Sequence, residues 1–593
     1  MGGGWFMTNR MTFLLLALVA AAFLVVASAC GTASEDEDDT STDTSGEDTS
    51  MDDDMDDDMS EPMATHSVSG VPIDPDARYG GTLIIATTSE GPTFSNWEEA
   101  AGSAPHYGHP VGNMLVSKQD WGDKENFING DYWNIVPDLG TDWEQATDGL
   151  SWTFNLRDGI NFSDGVQFTC ADIEWMYDTL RTGEGLLRNP RSAHFAVLND
   201  VSCADDLTAV FHLDRPKPSL LEVIGLPYHV VKPSHLYAED TNRMREEPPI
   251  GTGPFVVGDW IPGEKMVMES KDGYWDEPFP YLDSIEILIL NNQAQVAGLR
   301  SGRIHIGGSA GGWNGANANT LLRECDICQK WASAVHPGMM FSVIPNFNRE
   351  PWNTQPVRDA ISLAIDRNRL IKLGYNDWIA PGTGGPFLPG SYFALPEERL
   401  QAITGHDYSD PEANKERARQ ILADAGYEPG ELQATLVYAP FYGVYAPTVL
   451  EDLNDVGISV DSGETETGNY YTRMNAGDFD LGGHAGWIGG FDPDFILYEY
   501  FYSGSGRNYG QYSNPELDRL IDAQSIELDP EQRRELAWQA GEIVLRDQVR
   551  TMGGFQLAIP VFSDRVAGVM PTIPSQSYGN FYRHAHTYLL EDN

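Results

Sequence analysis

The sequence predicts a mixed α/β protein built from two or three compact units, and three observations carry that expectation. The chain has 593 residues, too long for one ordinary hydrophobic core. Short apolar runs of strand type, such as "GGTLIIAT" (80–87) and "SIEILIL" (284–290), are interspersed with amphipathic stretches of helical period. The chain also lacks the self-similarity at fixed period that marks solenoids and propellers.

The elements follow in order. "LSWTFNLRDGINFSDGVQFT" (150–169) alternates apolar and polar residues around Asp-Gly pairs, so it reads as strands joined by tight turns. A helix opens directly afterwards. Thr169 is placed as its N-cap with Asp172 three residues on, and Ile173, Met176, Tyr177 and Leu180 share one face. "FVVGDW" and "EKMVMES" add strands before "SIEILIL", and "PVRDAISLAIDRNRLIKLGY" (356–375) reads as an amphipathic helix pair. Pro411 and Pro530 each follow an Asp, the place of a proline in the first turn after a cap. The helices they open are expected to run to about Ala425 and Gln548.

Charge excludes one class of partner. The 37 Lys and Arg face 89 Asp and Glu, giving a net charge of −52, so the basic footprint that nucleic acid requires is missing. Only nine of the bases are Lys, and a low-Lys, high-Asp surface suits a salty habitat.

The N-terminus lies outside the folded part. "MTFLLLALVAAAFLVVASAC" (11–30) places an apolar run behind Arg10 and small residues before Cys30, the layout of a secretion signal over 1–29. "ASAC" is similar to the cleavage box at which a bacterial lipoprotein cysteine is lipidated, although Ala27 stands where Leu is usual. The competing reading is an uncleaved membrane anchor. Residues 30–78 then form a lipidated start and an acidic linker: the first 62 residues hold fifteen acids and one base, too polar to bury a core. With Cys30 assigned to lipid, Cys170, Cys203, Cys325 and Cys328 remain, an even number in an oxidising compartment. "CDIC" alone is weak evidence for zinc or redox chemistry. The expectation is two structural disulfides, Cys170–Cys203 and Cys325–Cys328.

"GGSAGG" (307–312) spells Gly-x-Ser-x-Gly after a strand-like "RIHI", and Ser309 could therefore be the nucleophile of a secreted serine hydrolase. That reading also needs an upstream HGGG-type oxyanion loop, which the sequence lacks. A small-residue turn is the preferred assignment, and no catalytic residue is expected.

Several long segments, in one order, closely resemble the family 5 solute-binding proteins, the extracytoplasmic receptors of dipeptide- and oligopeptide-type ABC importers. They are "PDLGTDWEQATDGLSWTFNLRDGINFSDGVQFTCADIEWMYDTL" (137–180), "PIGTGPFVVGDWIPGEKMVMESKDGYWDEPFPYLDSIEIL" (249–288), "GLRSGRIHI" (298–306), "PVRDAISLAIDRNRLI" (356–371), "DPEANKERARQILADAGY" (410–427) and "FDPDFILYEYF" (491–501). The resemblance implies a two-lobe periplasmic-binding-protein-like fold (type II, cluster C) with an inserted subdomain. Lobe I would hold about 79–100, 208–290 and 559–593, the inserted subdomain about 101–207, and lobe II about 291–558. It further implies capture of a peptide by lobe closure and delivery to a membrane permease, by a monomer without cofactor or metal. Oligosaccharide is the second ligand class, since some members bind sugars by Trp stacking. Family members that bind nickel raise "HAH" (584–586) as a metal pair, but surface histidines are the expectation.

The ligand candidates follow from the same resemblance. In peptide-binding relatives an Asp shortly after a Gly-Trp pair anchors the ligand's α-ammonium group, because a buried ammonium needs a carboxylate. In "GHAGWIGGFDPDF" (483–495) Gly490 occupies that place, and Asp492 is the candidate to substitute for it, with a helix cap as the equal alternative. Trp487 is the candidate stacking platform, and Trp97 lies where the family's early cleft loop falls. "YAPFYGVYAP" (438–447) offers Tyr438, Tyr442 and Tyr445 either as an aromatic cleft wall or, equally, as buried packing at a strand edge.

Overall fold

The structure is a computed structural model. It describes residues 77–87, 94–98, 108–119, 134–187, 192–226, 228–307, 320–321, 323–330, 335–339, 341–375, 385–387, 391–404, 409–486, 492–552, 555–557, 561–568 and 584–590. Cys30, Ser309, Trp487 and Gly490 therefore lie outside the described residues.

The chain begins with strand β1 (Thr82–Thr87), whose Leu83, Ile85 and Ala86 are buried. It then enters an inserted antiparallel sheet made of β2 (Gly140–Gln145), β3 (Ser151–Leu156), β4 (Leu198–Asp205) and β5 (Thr208–Leu213), in the order β2-β3-β5-β4. The alternation in β3 and β5 is the reason for the sheet: Trp152, Phe154 and Leu156, with Ala209, Phe211 and Leu213, all turn to one buried face. Helix α1 (Cys170–Thr182) covers that face with Ile173, Met176, Tyr177 and Leu180, and its capping box of Thr169 and Asp172 is formed. The disulfide Cys170–Cys203 ties the first residue of α1 to β4. Because β5 pairs with both β3 and β4, the inserted sheet runs to Leu213, a few residues beyond the boundary near 207.

After α1's sheet the chain returns to β1. Strands β6 (Phe255–Ile261), β7 (Lys265–Ser270) and β8 (Ser284–Ile289) complete the lobe I sheet in the order β1-β8-β7-β6, with β1 and β8 parallel. Two stretches of chain then run side by side. Strand β9 (Cys328–Lys330) and β10 (Val335–Met339) lead outward, and the later β16 (Phe555–Leu557) and β17 (Val561–Ser563) pair with them antiparallel, β10 with β16 and β9 with β17. Ile306 bridges both β1 and Phe562, so this pair of passages is rooted in lobe I. The disulfide Cys325–Cys328 closes the short loop where the first passage begins.

The passages lead into a five-stranded sheet of β11 (Ser342–Pro345), β12 (Gln433–Tyr438), β13 (Ser459–Glu464), β14 (Leu481–His484) and β15 (Thr551–Met552), ordered β13-β12-β14-β11-β15. Strands β12, β13 and β14 are parallel, and β11 runs against β14 and β15. Its core holds Val343, Leu436, Val437 and Leu481 under helix α2 (Gln355–Ala364). Helix α3 (Pro411–Asp424) packs on α2. Asp410 and Asp529 accept from the backbone NH of Ala413 and Gln532, so both Asp-Pro starts are true caps. Helices α4 (Pro493–Tyr500), α5 (Pro515–Ile526) and α6 (Pro530–Arg546) share one apolar core with the inserted sheet and with Leu220–Val231, through Phe495, Ile496 and Leu497.

Candidate functional site

Parallel strands bind ligands beyond their carboxyl ends, and β12, β13 and β14 end together at Tyr438, Glu464 and His484. The chain passages from lobe I join the sheet at the same edge, since Ser342 of β11 lies opposite both His484 and Met552. This edge, where both passages meet the sheet, is the candidate cleft wall.

Tyr438 and Tyr442 are buried in the core beside this edge, and Tyr445 is partly buried against it. Tyr438 closes β12 and its hydroxyl shares a hydrogen bond of 2.7 Å with Ser462. Tyr442 donates to the carbonyl of Ala485 at 3.2 Å, and burial pushes its phenol well up. Tyr445 stacks on Phe341 with centroids 5.9 Å apart. The two glycines of "LGGH" explain the close packing. A Cβ on Gly483 would lie 2.4 Å from the Phe341 ring, and one on Gly482 would lie 2.7 Å from Met474. Tyr470 donates to the Gly483 carbonyl at 3.0 Å.

Two residues the sequence did not single out dominate this wall. Arg550 donates through Nη2 to the His484 carbonyl at 2.6 Å and lies 3.0 Å from His484 Nδ1. Its guanidinium sits 5.3 Å from the centroid of the Tyr500 ring. Burial, then the charges of Arg550 and Arg507, hold the His484 imidazole well below its ordinary pKa, so it is neutral and its Nδ1 accepts from Arg550. No spacing signal could have found this pair, because 66 residues separate its members.

The predicted anchor, Asp492, is engaged elsewhere. It caps α4 by accepting from the Asp494 backbone NH, and both of its oxygens lie 2.6 Å from the guanidinium of Arg533 on α6. Asp494 accepts from Lys217, Ser219, Gln524 and Ser525. Burial alone would raise its carboxyl. The charges of Lys217 and Arg533, with hydrogen bonds from Ser219 and Gln524, outweigh burial and hold it well below the usual range. The "DPD" therefore fastens α4 to α5, α6 and the segment leaving the inserted sheet. The ammonium-anchor expectation for Asp492 is corrected on that ground: its charge already has a buried partner.

Trp97 is likewise corrected. Its ring is 1% exposed, its Nε1 donates to the Val230 carbonyl at 3.0 Å, and it packs on Trp175. It is part of the core and offers no face to a ligand. Of the "HAH" pair, His584 is buried beside Thr587 and the His586 ring meets Phe279 at 4.3 Å. Both are packing residues rather than surface ones.

The model of "Bacterial extracellular solute-binding proteins, family 5 Middle" matches residues 134–508, more than half of the chain. The chain belongs to family 5 of the bacterial extracellular solute-binding proteins. Among curated family relatives, the oligopeptide-binding protein AppA of Bacillus subtilis is 25% identical over 476 residues, covering 75% of this chain and 81% of AppA. The glutathione-binding protein GsiB of Pectobacterium atrosepticum is 25% identical over 402 residues, covering 65% of this chain and 73% of GsiB. The solved structure of Bacillus subtilis AppA in complex with a nonapeptide superposes with a TM-score of 0.71 at 20% identity, over 87% of this chain and 100% of that one. The two-lobe fold of family 5 is thus established here, and with it the role of an extracytoplasmic binding receptor rather than an enzyme. Among the described residues no helix is long and apolar enough to cross a membrane.

Proposed function

We propose that this family 5 receptor captures peptides between its lobes and delivers them to an ABC permease. The observation that supports the reading most directly is that the curated relatives spanning most of the chain are named for oligopeptide and glutathione binding. The aromatic wall at the edge of lobe II where both passages meet the sheet suits a ligand with alternating apolar and polar parts. Trp487 and Gly490, which lie a few residues before the fastened "DPD", belong to the proposed site through the resemblance. The same reading has Cys30 lipidated, residues 30–78 as spacer, and the receptor acting as a monomer.

The test is intrinsic Trp fluorescence of the protein from residue 63 onward, titrated with mixed di- to pentapeptides and, separately, with mixed oligosaccharides. A saturable change with peptides alone is expected. A response to oligosaccharides alone would replace peptide by sugar as the ligand class and make Trp487 the first residue to substitute.

A further inference from the structure

The charges around the lobe II wall are distributed unevenly. Asp492 and Asp494, the acids beside the Gly-Trp segment, are both consumed by cations inside the fold. Glu499 is taken by Arg507 at 2.7 Å, with His194 3.5 Å away. Glu464, at the same sheet edge, ends the outermost strand, two strands from His484, and is exposed. Arg550 stands opposite to all of these. It is 5% exposed, only its Nη2 is hydrogen-bonded among the described residues, and its Nε is buried with no partner. The groups facing it are the Tyr442, Tyr470, Tyr500 and Tyr509 phenols and a neutral imidazole, none of which neutralises a guanidinium. A buried cation without a counter-charge is costly, and a second residue could have supplied the carboxylate as Asp492 does for Arg533.

We propose that Arg550 is a specificity-determining residue that receives a carboxylate of the bound ligand, so that this wall selects for an anionic group and not for an ammonium. The proposal rests on the cleft reading above. Its physical basis is the Nε–H without a partner on a guanidinium whose Nη2 alone is engaged, which suits a carboxylate oxygen, while the surrounding phenols supply further hydrogen-bonding groups. The inserted anion would complete a charge balance that the described residues leave open. His484 holds Nη2 through its carbonyl and its neutral Nδ1 and brings no charge that competes for the anion.

The experiment compares four peptide pools on the full folded protein by calorimetry: free termini, C-terminally amidated, N-acetylated, and amidated with Asp or Glu included. N-acetylation is expected to change affinity little, and amidation without an acidic residue to weaken it roughly tenfold or more. Recovery in the amidated acidic pool would assign the carboxylate to a side chain, and continued weakness would assign it to the main-chain terminus. Loss of binding on acetylation, or indifference to amidation, overturns the proposal. Arg550→Gln should erase the distinction between free-acid and amidated pools, whereas Arg550→Lys should keep it at lower affinity; melting temperatures of both report that they fold. If no peptide binds, the peptide reading fails and the anion proposal is still decided. Acetate alone should shift the Arg550 Nε–H resonance, identified by its absence in Arg550→Lys, and an unmoved resonance would overturn it.

Discussion

Arg533 lies in helix α6 with both oxygens of Asp492 2.6 Å from its guanidinium nitrogens. Arg550 follows just beyond the end of that helix, equally buried, with a histidine and a tyrosine ring in place of a carboxylate. Burial opposes the charge on both. Asp492 more than compensates for Arg533 and raises its pKa, while Arg550 is left with a pKa below its ordinary value. The difference separates two uses of a buried cation. A cation fully paired inside the fold holds elements together and is closed to ligands. A cation left open costs stability and keeps its hydrogen-bonding capacity for something that arrives later.

Four substitutions break or sharpen this contrast. The largest effect is expected at Asp494, where Asp494→Ala would leave Lys217 buried without its carboxylate and cost about 3–5 kcal/mol. Chemical denaturation should show the loss in the midpoint, and adding Lys217→Met should recover much of it. Lys232 is a second incompletely balanced cation, whose pKa burial pushes down to about 8 against the opposing charge of Glu98. Between that value and the ordinary 10.5 the unfolded chain binds a proton the folded chain does not, so stability rises with pH across this window. Below pH 8 the penalty is fully present, on the order of 3 kcal/mol. Lys232→Met should flatten that slope and stabilise the protein at neutral pH, as read from denaturation midpoints between pH 7 and 10.

Asp492→Asn keeps a side-chain oxygen to cap α4 but removes the charge beside Arg533, and should cost roughly 2 kcal/mol. A smaller loss would mean that Arg533 is less dependent on its partner than its geometry indicates. The smallest effect on stability belongs to Arg550→Met, which removes an uncompensated charge and should shift the midpoint by no more than about 1 kcal/mol, in either direction. A large loss there would place Arg550 with Arg533 as a structural residue and dissolve the contrast.

How much of this was legible beforehand follows the range of each interaction. The strands Phe255–Ile261, Lys265–Ser270 and Ser284–Ile289, the capping box of Thr169 and Asp172, and the Asp-Pro helix starts were all read from neighbouring residues. Their causes are local: alternation, helical period, and caps that bond within three residues. The edge of the inserted sheet is not legible locally, because whether β5 joins β3 and β4 depends on pairing and not on its own composition. Trp97 shows the corresponding limit for a site. Its loop position was visible, but the Val230 carbonyl and the Trp175 ring that bury it lie far along the chain.

By itself the sequence determined the family, the kinds of elements and their order, the acidic character, and the supply of tyrosines at the lobe II edge. Those properties reside in composition and in contacts a few residues long. The tertiary structure alone decided which charges are spent. Lys217 and Asp494 are 277 residues apart and His484 and Arg550 are 66 apart, so only folding brings them together. Whether a buried carboxylate or guanidinium remains available to a ligand depends on the partner that folding brings within about 3 Å, because charge compensation in a desolvated site acts at contact range.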